Sequence, residues 1–203
     1  MGEGERVERV LAAYGQTYAA EAGIALRDTP QPLYRLLVLT VLLSARIRSG
    51  TAVATARALA EAGLRDPRRM AAATWQERVD ALGRGGYRRY DESTATQLGK
   101  GAALATERYG GDLRRLHEEA GADLGALRAA LREFPGIGPA GADIFLREVQ
   151  LVWPDIAPFF DSKALQGAAE AGLPDRPAPL RRAAGDAEPA VLAAALVRVA
   201  LDK

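Results

Sequence analysis

The stretch FPGIGPAGADIF, residues 134–145, sets two glycines one residue apart behind a proline, and a helical pattern begins immediately afterwards. The chemistry such a turn offers is anion binding. Gly136 and Gly138 are free to take positive φ, and Pro135 fixes the angle of entry. Ile137, held between the glycines, can point back and pack between the flanking helices. The backbone N–H groups of the turn then face outward, and with a helix N-terminus behind them they suit a phosphate. Pro139 has no N–H, so the donors are those of the turn, Ala140 and Gly141. An ordinary helix–helix connection is the other reading of the same residues.

Asp161, in WPDIAPFFDSKALQGAAEAG, is the second candidate. It follows the apolar Pro158-Phe159-Phe160 and precedes a helical run, which is where an N-cap belongs and where a negative charge is favoured. Other chemistries are excluded by composition. The 203 residues include no cysteine, which removes disulfides, thiolate metal sites, iron–sulfur clusters and cysteine nucleophiles. The one histidine, His117, stands in the charged run RRLHEEAG and reads as a surface residue, which leaves no basis for a histidine metal site or a Ser/His/Asp triad. Three lysines (Lys100, Lys163 and Lys203) stand against twenty-four arginines.

The elements that must position these groups are helical. Leu33, Leu36, Leu37, Thr40, Val41 and Ser44 recur at three- and four-residue spacing, one face of a buried helix. Further helical windows run over 4–22, 50–63, 74–83, 93–109, 123–133, 140–152, 162–171 and 188–201, many opening after Asp, Ser, Thr or Pro and several closing at Gly. No segment alternates with β-branched residues, so no sheet is expected. Pro174, Pro177 and Pro179 mark a loop, and Trp75 and Trp153 read as core. No apolar run approaches the roughly 20 residues of a membrane span, and the charged, amphipathic N-terminus is unlike a signal peptide. The expectation is a soluble, cytoplasmic, nucleoid-associated protein.

The net charge is +1, but it is unevenly spread. Residues 1–30 carry three basic and five acidic groups, 31–115 fifteen and eight, and 116–203 nine and thirteen. A positive block inside a near-neutral chain attracts a polyanion without making the whole surface adhesive. The same charges also read as a solvated helical surface.

The hairpin and three further segments resemble the helix-hairpin-helix DNA glycosylase superfamily, which includes endonuclease III, the adenine glycosylases and the alkyladenine glycosylases. VLLSARIRSGTA (41–52) is similar to the family's early buried helix and the polar loop after it. GGYRRYDESTATQL (85–98) is similar to its second DNA-facing loop. WPDIAPFFDSKAL (153–165) resembles the segment ending in its catalytic aspartate. The matches run in order over residues 30–172.

The resemblance implies an all-α, two-lobed fold, with residues 30–133 as a central helical lobe and 1–29 plus 134–203 as a second lobe carrying the hairpin 134–138. It implies a monomer that binds double-stranded DNA and hydrolyses the N-glycosidic bond of a damaged or mispaired base, received in a cleft between the lobes. Asp161 becomes the carboxylate that stabilises positive charge developing on the sugar or activates water. Pro135, Gly136, Ile137, Gly138, Ala140 and Gly141 become the phosphate-binding hairpin. Arg46 and Tyr87 stand where wedge residues would fill the space of a flipped nucleotide and support its partner, the other reading being a surface arginine and a loop tyrosine packed on a neighbouring helix, and Lys163 is a phosphate contact or a surface residue. Bifunctional members carry a lysine at the position of Ala140, which forms a Schiff base with the sugar; its absence implies a monofunctional enzyme, or a binder that has lost its chemistry. No cofactor and no iron–sulfur cluster are implied, and the hairpin admits a monovalent cation. A helical scaffold unrelated to DNA would leave the ordered matches unexplained.

Overall fold

A computed structural model describes residues 1–202, and among these there are helices and no strand. In chain order the helices are α1 (Glu3–Tyr14), α2 (Tyr18–Glu21), α3 (Pro30–Leu43), α4 (Ser49–Glu61), α5 (Pro67–Ala72), α6 (Trp75–Arg84) and α7 (Asp91–Tyr109). They continue with α8 (Arg114–Ala120), α9 (Leu124–Arg132), α10 (Pro139–Val149), α11 (Ser162–Glu170), α12 (Pro177–Ala184) and α13 (Pro189–Leu201). Contacts divide the chain into two compact units, one formed by Ala22–Phe145 and the other by Met1–Glu21 with the chain from Leu146 onward. The boundaries expected from the sequence, at residues 30 and 133, therefore shift. The hairpin 134–138 belongs with the middle of the chain, because Phe134, Ile137 and Ala142 are buried within that unit.

In the middle unit α3 is buried almost all round, Tyr34, Val38, Leu39 and Leu42 joining the expected face. A helix apolar on every side belongs inside a core, and α3 packs on α4, which in turn packs on α6. Arg78 of α6 fastens this arrangement. Its guanidinium donates to the carbonyls of Met70 and Ala73 at 3.1 and 2.8 Å, and of Ala95 on α7 at 2.9 Å. The Met70 and Ala73 carbonyls are ones that the end of α5 would otherwise leave unpaired. Trp75 is not core, as the sequence suggested, but 40% exposed. It opens α6, and its indole N–H donates to Thr96 Oγ1 at 3.1 Å, so the ring lies along the surface.

The other unit is organised on α13, whose residues 192–197 are all buried, with α11 and α1 against it and α12 against α1. Glu148, 0% exposed, accepts the Tyr18 N–H at 2.7 Å and so caps the short α2 from a distant part of the sequence. Arg198 lies over the Tyr18 ring, 4.1 Å from its centroid, and pairs with Glu21 at 2.5 Å. The expected window 4–22 is broken at Gly15, which ends α1. Residues 177–184 form a helix rather than a loop, because Pro177 and Pro179 fall in its first turn, where a missing N–H costs no intrahelical bond.

Candidate nucleic-acid interface

The hairpin is a four-residue turn. The Ile137 N–H donates to the Phe134 carbonyl at 3.1 Å, with Pro135 and Gly136 between them and Gly136 at φ +90°. Proline followed by a positive-φ glycine is the composition a type II turn requires. Phe134 and Ile137 are buried and anchor the turn, and Phe134 stacks on Tyr109 with centroids 6.3 Å apart. Gly138 departs from the expectation. Its φ is not positive, and a Cβ added there would meet nothing within 4 Å. Only the first glycine is demanded by conformation; the second leaves the outer surface of the turn bare. Helix α10 then begins at Pro139, and the Ala142 N–H is the first to reach back, to Gly138 O at 2.9 Å. The N–H groups of Ala140 and Gly141 precede that bond and have no intrahelical acceptor.

Two more segments close on the hairpin. A Cβ on Gly141 would stand 2.5 Å from Ser44 Oγ, at the end of α3, and one on Gly136 would stand 2.8 Å from Gln97 Oε1 of α7. Between them opens a cleft of about 310 Å³, whose lining includes Ser44, Arg46, Tyr87, Tyr90, Gln97 and Gly136. Arg46, Gly136 and Tyr87, singled out separately in the sequence, thus meet at one site. Arg46 is exposed, as are Arg48, Arg88 and Arg89 in the same two loops, and none is ion-paired with a described residue. The Arg89 guanidinium sits 5.3 Å from the Tyr90 ring centroid. Tyr87 is different from what a wedge requires. It is 2% exposed, and its hydroxyl pairs with Thr94 Oγ1 at 2.8 Å. Burial raises its phenol above the ordinary value. As placed, the ring is a wall of the cleft rather than a side chain free to enter a duplex. The lining carries one cation and no carboxylate, which equips this face for binding an anion rather than for acid–base chemistry.

Asp161 and Lys163 belong to the other unit. Asp161 is the N-cap of α11, its Oδ1 accepting from the Ala164 N–H at 2.9 Å. Its Oδ2 accepts from Arg147 Nη1 at 2.7 Å, and the carboxylate is only 8% exposed. Arg147 is itself buried, and its Nε has no partner. Gln150 holds the approach to Asp161 in place. Its amide donates to the carbonyls of Arg147 and Phe159 at 2.9 and 2.8 Å and accepts from the Phe159 N–H at 2.8 Å. Beside Arg147, the Glu148 carboxyl is pushed up to about 7 by burial, against the opposing pull of Arg147, the Tyr18 and Ala19 N–H groups and Arg198. Lys163 turns along its own helix to Gln166 Oε1 at 3.1 Å.

The sequence reading found the cap and the hairpin, because both are local. It missed Arg147 and Gln150, and the signal available was a helix turning charged and amide residues toward an otherwise apolar interior. Among the described residues no group of three or more His, Cys, Asp or Glu can hold a metal ion, and no helix is long and apolar enough to cross a membrane. Compared with protein-family models, curated proteins and solved structures, the chain has no significant match.

Proposed function

We propose that this chain is a monofunctional DNA glycosylase of helix-hairpin-helix type, hydrolysing the bond between deoxyribose and a damaged or mispaired base in double-stranded DNA. The observation that supports the DNA-binding half is the convergence of segments 44–48, 87–97 and 134–141 around one cleft, with four exposed arginines in the first two segments, none paired with a carboxylate, and the Ala140 and Gly141 N–H groups without intrahelical acceptors. Phosphate oxygens take hydrogen bonds from such amides, and arginines add a salt-dependent, sequence-independent attraction. The chemical half rests on Asp161 and on the resemblance of its segment. As the base departs with its bonding electrons, the sugar becomes positive, the carboxylate offsets that charge, and water adds its oxygen at the same carbon while its proton ends on the departed base. Ala140 offers no amine, so the product is an intact abasic strand.

One observation favours a second reading, a DNA binder without catalysis. The Asp161 carboxylate is already balanced by a guanidinium at 2.7 Å, and a balanced carboxylate stabilises a developing cation less than a lone one. Incubation with duplexes bearing oxidised, alkylated, deaminated or mismatched bases separates the two. Release of any base by the wild type, lost in Asp161→Asn, supports the glycosylase. Salt-dependent duplex binding with no base released supports the binder, and absence of binding removes both.

A further inference from the structure

In the unit organised on α13, three carboxyl groups share two guanidiniums. Arg147 is paired with Asp161, and Arg198 with Glu21. Glu148 is the third carboxyl, and both guanidiniums act on it while committed to those partners. It is 0% exposed; its Oε1 accepts the Tyr18 N–H at 2.7 Å, and its buried Oε2 has no hydrogen-bond partner in the chain. A buried carboxylate is stable only when its charge is balanced and its oxygens are bonded. Here the balance is one cation short and one oxygen is bare, so the enclosed group favours its protonated form. Its raised value of about 7, of which burial is the first cause, agrees. The groups facing it are Arg147 on its own helix α10, Arg198 of α13 and the Tyr18 and Ala19 N–H groups of α2, with Asp161 and Glu21 beyond the two arginines as their partners.

The segment bonded to Glu148 is short and close to a chain end. Helix α2 has four residues, and its first N–H groups rely on an acceptor from outside the helix, which Glu148 supplies. Arg198 adds a second tie, lying over the Tyr18 ring and pairing with Glu21. Segments near a terminus open at lower cost than the core does. We propose that Glu148 is a proton-controlled latch on residues 1–21. Protonated, it keeps them docked; ionised, it favours a form in which they swing away together and water reaches the carboxylate. Ionisation strengthens the bonds from the Tyr18 and Ala19 N–H groups, but burial outweighs both those bonds and the two arginines. The docked form holds a proton that the open form releases above the ordinary carboxyl value. Opening therefore grows as pH rises from about 4.5 to about 7 and levels off beyond. The latch does not depend on whether the chain acts on DNA.

The test is native-state hydrogen exchange of the full chain at about pH 5 and about pH 7, each amide corrected for its intrinsic rate. Amides of α1 should open more often than those of residues 192–197 in α13 at both values. The α1 opening constant should rise roughly fortyfold between them, the factor for a carboxyl near 7 when docked and near 4.5 when open. Glu148→Gln should keep the segment docked with no such rise. Glu21→Gln frees Arg198 to balance Glu148, so whatever it does to the level of opening, the rise should shrink. One opening constant shared by α1 and α13 at both pH values overturns the latch, because the carboxyl then acts on the unit as a whole. A flat wild-type profile, a rise that survives Glu148→Gln, or an undiminished rise in Glu21→Gln overturns it too. If either variant fails to fold, the wild-type comparison of α1 with α13 decides.

Discussion

The two candidate regions treat charge in opposite ways. On the hairpin face, Arg46, Arg48, Arg88 and Arg89 are exposed and carry no ion pair with a described residue. At Asp161 the paired charge is inside, with Arg147 buried against the carboxylate and Glu148 buried next to Arg147 in the chain. Free charges on a surface add little to stability and are available to a partner. Paired charges in an interior are costly to break and are engaged before any ligand arrives. Under the proposed function the first region would serve recognition, and a substitution in the second would test structure and chemistry together.

The largest expected effect follows from that difference. Asp161→Asn keeps an acceptor for the Ala164 N–H, since Asn and Asp cap equally well. It nevertheless leaves the Arg147 guanidinium buried without its counter-charge, so urea denaturation should show a loss of about 3–5 kcal/mol. The double variant Asp161→Asn/Arg147→Met removes both charges and should recover most of that loss. A single variant as stable as the wild type would show that the pair is not engaged in solution. The same double variant is the proper control for excision, because it removes the carboxylate without stranding an arginine.

Glu148 should give the next effect, visible against pH. Its folded value of about 7 lies above the ordinary 4.5, so the folded state holds a proton that the unfolded chain releases. Stability is then greatest below about pH 4.5 and falls as pH rises through 7, by at most about 3 kcal/mol for a shift of this size. The groups facing it are Arg147, Arg198 and the N–H groups of Tyr18 and Ala19. Glu148→Gln should flatten the profile between pH 4.5 and 7, measured as the urea midpoint at each pH.

On the hairpin the contrast narrows to two glycines. Gly136→Ala forces a side chain to φ +90° and against Gln97 and Val41, so it should cost about 1–3 kcal/mol and weaken duplex binding for all sequences alike. Gly138→Ala meets ordinary φ and open space, so its stability should change by less than about 0.5 kcal/mol. If it still loses affinity, the bare backbone of Gly138 lies against DNA. Smallest of all in stability are Arg46→Ala and Arg88→Ala. Each should leave the urea midpoint unchanged and lower the slope of log affinity against log salt by about 1.

How much of this the sequence disclosed depends on the distance over which each feature is determined. The Asp161 cap, the anchoring Ile137 and most helix limits follow from residues within a turn or two of one another, and all were legible. Pro177 was misread because proline is a breaker inside a helix and a starter in its first turn, and position alone separates the two. Trp75 was misplaced, and Tyr87 took the packed one of its two readings, its ring buried and its hydroxyl paired with Thr94 of α7, because an aromatic residue announces burial but not where its ring goes. Gly138 was grouped with Gly136 by spacing, although the backbone needs only one positive φ. The partners Arg147–Asp161 and Glu148–Tyr18 are 14 and 130 residues apart, and no local pattern joins them.

The Glu148 cap on Tyr18 also has a consequence for the order of assembly during synthesis. The unit Ala22–Phe145 is continuous, so every contact within it can form once its last helices leave the ribosome. The other unit joins residues before Ala22 to residues after Phe145, and α2 meets its capping carboxylate only after that whole intervening stretch has been made. Until then α1 and α2 must wait with the apolar faces around Val7, Val10 and Tyr18 uncovered. Having the middle unit already compact shortens the effective loop that must close, and so lowers the entropy of bringing the two ends together. The emerging chain should therefore gain protease resistance in two steps, first over residues 22–145 and then, when Arg198 reaches Tyr18 and Glu21, over its first 21 residues.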